Sequence, residues 1–434
     1  MSVSNAPLRM LHLSAADYGG AGIAALRLHE HMLALGHRST LLVLSKRSRA
    51  VGVRQWPGVK LLFKTRRLIV KACLKLVGRA DYYFQRQDLS LGVSLLEVSK
   101  ILDFKPDIVI VHSIAHFLSF NDVATIHRAT GADVMWYLMD MGPLTGGCHY
   151  SWQCAGYTRS CGRCVALRSR IETDVSRSIW ADKRDALNNV RGLVLAGSSQ
   201  LVNQARSSSL FSGFRIERLL LGVSETLFQP EKRESARAGL GLDPSRRVLF
   251  FGAQKMKLRR KGMHLLVEAL RRVALEWPTD VPRPLLMCAG ESDGLDRIRS
   301  LGFELLTLGT VSPSRLSEIY AASDLFACPS VEDSGPMMIN ESLMSGTPVV
   351  SFAVGVAEDL IEHRKNGWIA GRGQVQSFAR GIVEYLTMSD IARLECRRYA
   401  REVALRECLP RQQAKKLVDI ARSLVEQRKQ VFRA

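Results

Sequence analysis

The stretch Pro329-Ser330-Val331-Glu332-Asp333-Ser334-Gly335-Pro336-Met337-Met338-Ile339-Asn340-Glu341, running on through Ser342–Gly346 to Pro348-Val349-Val350-Ser351-Phe352, decides the fold. Leu325–Ala327 before it reads as a short apolar strand, and Pro348–Phe352 after it as another. Between them a loop carries carboxylates, and Pro336 stands where the first turn of a helix accepts proline. A strand, a helix and a parallel strand make one βαβ unit, and ligands in such sheets bind beyond the carboxyl ends of the strands. Asp333 and Glu341 are eight positions apart, which places one carboxylate in the loop and the other about a turn into the helix. Two carboxylates so placed can hold a sugar hydroxyl and a ribose hydroxyl on either side of a phosphate bound at the helix start.

Outward from this unit the pattern repeats. Strands are expected at Val248–Phe251, Leu285–Ala289, Leu305–Leu308 and Trp368–Ala370 in the second half of the chain. In the first half they are expected at Arg9–Leu13, Thr40–Leu44, Asp107–Val111, Val134–Leu138 and Leu193–Ala196. Each is followed by a helical stretch, so the fold class is α/β with two Rossmann-like, doubly wound domains facing a cleft. A chain of 434 residues fits two such domains. The boundaries read as 1–225 and 226–390, with charged helices over 391–434 that can cross back to the first domain. Hydrophobic content of 47% with 24% charged residues excludes a disordered chain. Neither a secretory signal nor a membrane-spanning run is seen, which points to the cytoplasm.

A net charge of +20 calls for an anionic partner. Lys46 to Arg79 holds eleven Lys or Arg and no acidic residue, and contains a basic amphipathic segment over 58–79. Lys60, Lys64, Arg67, Lys71 and Lys75 stack on one side of a helix, as at an anionic membrane surface or on the solvated edge of a core helix. No nucleic-acid-binding signature accompanies the charge, so nucleic acid is not expected as a partner. Two further loops follow strands. Asp17-Tyr18-Gly19-Gly20-Ala21-Gly22 opens a helix and serves either as a phosphate-approaching loop or as a tight turn. Gly252–Gly262 carries five cations, of which Lys261 stands just before a helix and can clamp a diphosphate.

Asp333 to Glu341 resembles the E-x7-E motif of retaining GT-B enzymes of glycosyltransferase family 4, with Asp in place of the first Glu. The sequel Glu341-Ser-Leu-Met-Ser-Gly-Thr-Pro-Val-Val, Arg260-Lys261-Gly262, Gly222–Phe228 and Ala322-Ser323-Asp324-Leu325 are similar to that family as well. The resemblance implies that Lys261 and Arg260 bind the diphosphate of a nucleotide sugar. It further implies that Asp333 with Ser334, Gly335, Pro336 and Met337 holds the donor sugar and that Glu341 binds the ribose. Gly19 and Gly20 would lie under donor or acceptor, and catalysis would need no metal. Met139–Tyr150 with the cysteines after it resembles a subgroup that builds bacterial exopolysaccharide on lipid-linked glycans, from the inner face of the membrane.

Two positions depart from the family. Met139 stands where the family has an active-site His, and Ala253 where many relatives have Arg. Asp140, His112 or His149 would then supply the missing polar group, or the chain is a catalytically degenerate nucleotide-sugar-binding or scaffold protein. A retaining transfer in which the leaving phosphate takes the acceptor proton does not depend on a strong protein base. His112, at a strand end, is a candidate to touch substrate. Cys148, Cys154, Cys161 and Cys164 follow C-x5-C-x6-C-x2-C within the loop 146–165, a spacing suited to a closed structural zinc or to reduced thiols.

Overall fold

The computed structural model describes residues 6–57, 65, 68–70, 72, 78–88, 100–291 and 294–431. Lys60, Lys64, Arg67, Lys71 and Lys75, which carry the cationic stripe, lie outside the described residues. The chain forms two compact units, one of Met1–Leu220 with Pro410–Ala434 and the other of Leu221–Leu409.

The first unit is built on a parallel sheet ordered β3-β2-β1-β4-β5-β6-β7. Its strands are β1 Arg9–Ala16, β2 Arg38–Ser45, β3 Val53–Gln55, β4 Ile108–Val111, β5 Asp133–Leu138, β6 Gly192–Ala196 and β7 Arg215–Arg218. Every residue of β4 and β5 is buried, because helices cover both faces of a parallel sheet and leave no polar side to the strand. Around them lie α1 Gly19–Ala34, α2 Phe120–Thr130, α3 Val175–Leu187 and α4 Ser199–Ser207. Ser119 and Asp122 close a capping box at the start of α2, and Asp174 caps α3 through the Ser176 and Arg177 amides. The core centres on Trp136, whose ring stacks on Phe120 at 4.3 Å.

The second unit carries a parallel sheet ordered β10-β9-β8-β11-β12-β13. Its strands are β8 Val248–Ala253, β9 Leu285–Gly290, β10 Leu305–Thr307, β11 Leu325–Cys328, β12 Val349–Phe352 and β13 Gly367–Ala370. The helices are α5 Arg233–Gly239, α6 Met263–Glu276, α7 Asp296–Arg299, α8 Pro313–Ala322, α9 Met337–Met344, α10 Ala357–Leu360, α11 Val375–Thr387 and α12 Asp390–Glu407. Asp324, buried just before β11, accepts the Val248 amide at 2.8 Å and Arg233 at 2.6 Å, which ties β11 to β8 at their amino ends. The last helix, α13 Pro410–Val431, returns to the first unit and packs on α1. There Arg428 donates to the Gly131 carbonyl at 2.8 Å and stands 3.3 Å from the buried Asp133.

In each sheet the strand order reverses once, between β1 and β4 and between β8 and β11. The carboxyl side of such a reversal leaves room for a ligand, because the connections on its two sides run off in opposite directions. The reversals therefore single out the loops after β1, β4, β8 and β11.

Candidate functional site

The loops after β8 and β11 are stitched to each other. Arg259–Lys261 forms a single 3-10 turn ended by Gly262 in the left-handed conformation, at φ +69°. A Cβ on Gly262 would sit 1.8 Å from the Pro329 carbonyl oxygen, so both backbone angle and space require glycine there. The Val331 amide donates to the Arg260 carbonyl at 2.8 Å. Thus fixed, Arg260 Nη1 and Lys261 Nζ both donate to Asp333 Oδ2, at 2.9 and 2.6 Å. Burial pushes the Asp333 carboxyl up, but Lys261 and Arg260 outweigh it and hold the group below the usual carboxylate range. Gly335 donates its amide to Asp333 Oδ1 at 3.4 Å, and Gly355 packs so tightly on this loop that a Cβ there would lie 2.9 Å from the Asp333 carbonyl.

Of the residues singled out in this unit, the structure thus joins Arg260, Lys261 and Asp333 directly. Ser334, Gly335 and Pro336 continue the same loop, and Pro336 precedes the first turn of α9, which Met337 begins. Glu341 is the fifth residue of that helix and is buried. Glu332 is also buried and is met by Arg372 at 3.1 Å, a partnership with no trace in the local sequence.

In the first unit, Gly19 at φ +72° and Gly20 begin α1 directly after β1, and a Cβ on either would meet nothing within 4 Å. Gly22 is different, because its Cβ would clash with the Ala16 carbonyl at 2.5 Å, and it serves the packing of α1 on β1. Asp17 is turned away from any ligand role, accepting the Arg47 and Ser48 amides at 2.8 Å each.

A small pocket of about 20 Å³ opens at the ends of β4 and β5, and its lining includes Gln87, His112, Ser113, Met139, Asp140 and His149. Asp140 and His112 are therefore brought to one place. His112 Nε2 lies 3.0 Å from His12 Nδ1, and burial drives the His112 ring down to about 3. His112 is consequently an uncharged wall residue at physiological pH. Asp140 Oδ2 accepts from His149 Nδ1 at 2.7 Å, and Asp140 Oδ1 accepts the Gly142 amide at 2.7 Å. Burial pushes Asp140 up, yet His149, the Gly142 amide and the Lys183 charge more than offset it, leaving the carboxyl below its ordinary value. Lys183, only 1% exposed, was not singled out in the sequence. Burial lowers its ammonium to about 7.

The four cysteines share one loop beside this cavity. Cys148 and Cys164 are hydrogen-bonded to each other, Cys161 Sγ accepts the Gly146 amide at 3.2 Å, and Cys154 Sγ accepts the Gly156 amide at 3.5 Å. All four are free thiols, and among the described residues no three His, Cys, Asp or Glu side chains are preset to hold a metal ion. Among the described residues no helix is long and apolar enough to cross a membrane.

With this geometry in view, residues 245–388, the heart of the second unit, match the family model described as Glycosyl transferases group 1. Relatives include the D-inositol 3-phosphate glycosyltransferases of Corynebacterium urealyticum, 30% identical over 51% of this chain and 52% of theirs, and of Rhodococcus erythropolis, 31% identical over 40% and 41%. The chain spans about half the length, or less, of these curated relatives. Among solved structures, Anabaena Alr3699/HepE in complex with UDP and glucose has TM-score 0.62 at 16% identity, covering 96% of this chain and all of that one. WaaG, a glycosyltransferase involved in lipopolysaccharide biosynthesis, has TM-score 0.61 at 15% identity, covering 93% and 98%. The fold is accordingly the two-domain GT-B form. The curated relatives are named for D-inositol 3-phosphate, and the match over 245–388 is to the glycosyltransferase group at large, not specifically to the exopolysaccharide subgroup that Met139–Tyr150 resembles.

Proposed function

We propose that this protein is a retaining, metal-independent glycosyltransferase that moves a sugar from a nucleoside diphosphate to a glycan acceptor. The observation that carries the reading is the Arg260–Lys261–Asp333 cluster at the strand-order reversal of the unit that matches the family model. Two adjacent cations there suit a pyrophosphate, whose departure with the bonding electron pair is eased by the positive charge that meets it. Asp333 with Ser334, Gly335, Pro336 and Met337 holds the donor sugar, and Glu341 the ribose. Gly19 and Gly20 offer open backbone under donor or acceptor, while Asp140 and His112 face the acceptor. The new glycosidic bond forms as the sugar–phosphate bond breaks, and the acceptor proton passes to the departing phosphate oxygen.

The relatives' names support a phosphorylated polyol as one acceptor class, and the stretch Met139–Tyr150 supports a lipid-linked glycan of bacterial polysaccharide synthesis. On the second, the protein works at the inner face of the membrane, with its basic segment on anionic lipid. Nucleoside diphosphate release with each acceptor decides between them. Lys261→Ala and Asp333→Ala should abolish release, omitting Mg2+ and Mn2+ from the assay should leave it unchanged, and proton NMR of the product should show the donor's anomeric configuration. Tight nucleotide binding without release would favour the degenerate binder that Met139 and Ala253 suggest.

The zinc site read from Cys148, Cys154, Cys161 and Cys164 is a separate proposal. The mutual approach of Cys148 and Cys164 and the amides aimed at two sulfurs support it. Elemental analysis of protein purified without chelator should find about one zinc per chain; folded, metal-free protein would refute it.

A further inference from the structure

The wall of the first unit's cavity is the visible end of a longer buried chain of hydrogen bonds. Lys183 Nζ donates to Gln87 Oε1 and to the carbonyl oxygens of Gly142 and Thr145, the last two both at 2.7 Å. Gln87 Nε2 stands 3.2 Å from His149 Nε2, and His149 Nδ1 stands 2.7 Å from Asp140 Oδ2. All four side chains are connected, and Gln87, His149 and Lys183 are buried.

The donor and acceptor roles along this chain are set from its far end. Below its pKa of about 7 Lys183 is an ammonium, with three donors and no acceptor, so in that form the oxygen of Gln87 must face it. The Gln87 NH2 group then faces His149, whose Nε2 can only accept. The imidazole proton must therefore lie on Nδ1, where it is given to Asp140. Asp140, taking this bond and the Gly142 amide, is left as a carboxylate at the cavity wall. The segment carrying Gln87 is pinned by Gln85 donating to the Gly147 carbonyl at 2.9 Å, and His149 by its amide bond to the Tyr82 carbonyl at 3.2 Å. Gly142 fills the remaining space, since a Cβ there would lie 2.5 Å from Gln87 Nε2 and 2.9 Å from Asp140 Oδ1.

We propose that Lys183 and Gln87 are positioning residues for Asp140: through His149 they hold that carboxylate oriented to accept a substrate hydroxyl presented at the mouth of the pocket. The identity of the hydroxyl as the sugar acceptor's rests on the glycosyltransferase reading; the tautomer does not. A merely structural Lys183, capping the Gly142 and Thr145 carbonyls, would place no demand on which His149 nitrogen carries the proton.

The test begins with the unaltered protein, labelled with 15N at histidine. Long-range 1H–15N correlation below pH about 7, where Lys183 is an ammonium, should show His149 protonated at Nδ1, and an Nε2–H tautomer lacking the Nδ1 proton would overturn the proposal. Gln87→Glu keeps an oxygen for Lys183 but has no N–H for His149, so Nε2 should become protonated in that variant; an unchanged His149 spectrum overturns the relay. Gly142→Ala, which alters no titratable group, should push the Gln87 amide off His149. Both variants should raise KM for the acceptor about tenfold, the scale of one lost hydrogen bond to a charged group, with nucleoside diphosphate binding unchanged. An unaltered acceptor KM with a changed tautomer overturns the assignment of Asp140 to the acceptor. A chain that transfers no sugar, yet shows the expected tautomers, contradicts only the glycosyltransferase reading.

Discussion

Replacing Asp333 by Asn removes one negative charge and little volume from the most constrained part of the second unit. In the structure the carboxylate is the counterion of both Arg260 and Lys261, with side-chain exposures of 12, 18 and 22% for the three residues. A pyrophosphate arriving at the same two cations meets that carboxylate as a competitor. Two unit charges about 5 Å apart at an effective dielectric of about 20 repel by roughly 3 kcal/mol, and partial exposure reduces this to about 1–2 kcal/mol. Asp333→Asn should therefore bind UDP, ADP or GDP, whichever the protein prefers, roughly 5- to 30-fold more tightly by calorimetry. Without nucleotide the same variant should be weaker, because two cations lose charge-assisted partners at a cost of about 2 kcal/mol. For a unit of this size that lowers its melting temperature by roughly 4–8 °C. Transfer should fall despite the tighter binding, since the sugar loses its carboxylate contact. Weaker nucleotide binding by the Asp333→Asn protein would refute the competition and leave Asp333 as a pure ligand contact.

Because Asp333 is held below its unfolded value, its stabilising contribution is complete above the ordinary carboxylate range and disappears as pH falls through the depressed folded value. Acid unfolding of wild type should thus be steeper than that of Asp333→Asn when followed by circular dichroism. Gly262→Ala must force a left-handed residue and move the Pro329 carbonyl, so it should cost about 3 kcal/mol or more and weaken nucleotide binding; normal thermal stability would contradict that. Arg428→Ala removes one charge partner of the buried Asp133 and leaves the half-exposed Arg191, and should destabilise the first unit by about 2–3 kcal/mol. Calorimetry should show that loss with nucleotide affinity unchanged.

Much of the scaffold was legible in the sequence because doubly covered parallel strands announce themselves as short apolar runs. Eleven strands lie where those runs fall, with ends differing by at most three residues. The two strands that escaped, Val53–Gln55 and Arg215–Arg218, sit at opposite edges of the first sheet, where one neighbour is missing and arginine is tolerated, so no apolar run marks them. The loops Gly19–Gly20, Arg260–Lys261 and Asp333–Pro336 were legible from their position after strands. What those loops do to one another was not. Lys261 meets Asp333 across 72 positions and Lys183 meets Gln87 across 96, and no local spacing encodes either contact. His112 shows the same limit: its place at a strand end was legible, whereas its contact with His12 across 100 positions was not.

The return of α13 to the first unit sets an order on biosynthesis. A nascent chain that has emerged through Leu220 possesses all seven strands of its first sheet but not the helix that covers α1 and supplies Arg428 to Asp133. Leu221–Leu409 must leave the ribosome before that helix exists, so the unit begun first can be finished only last. Until then its uncovered flank is a natural landing place for a chaperone that holds unfinished chains.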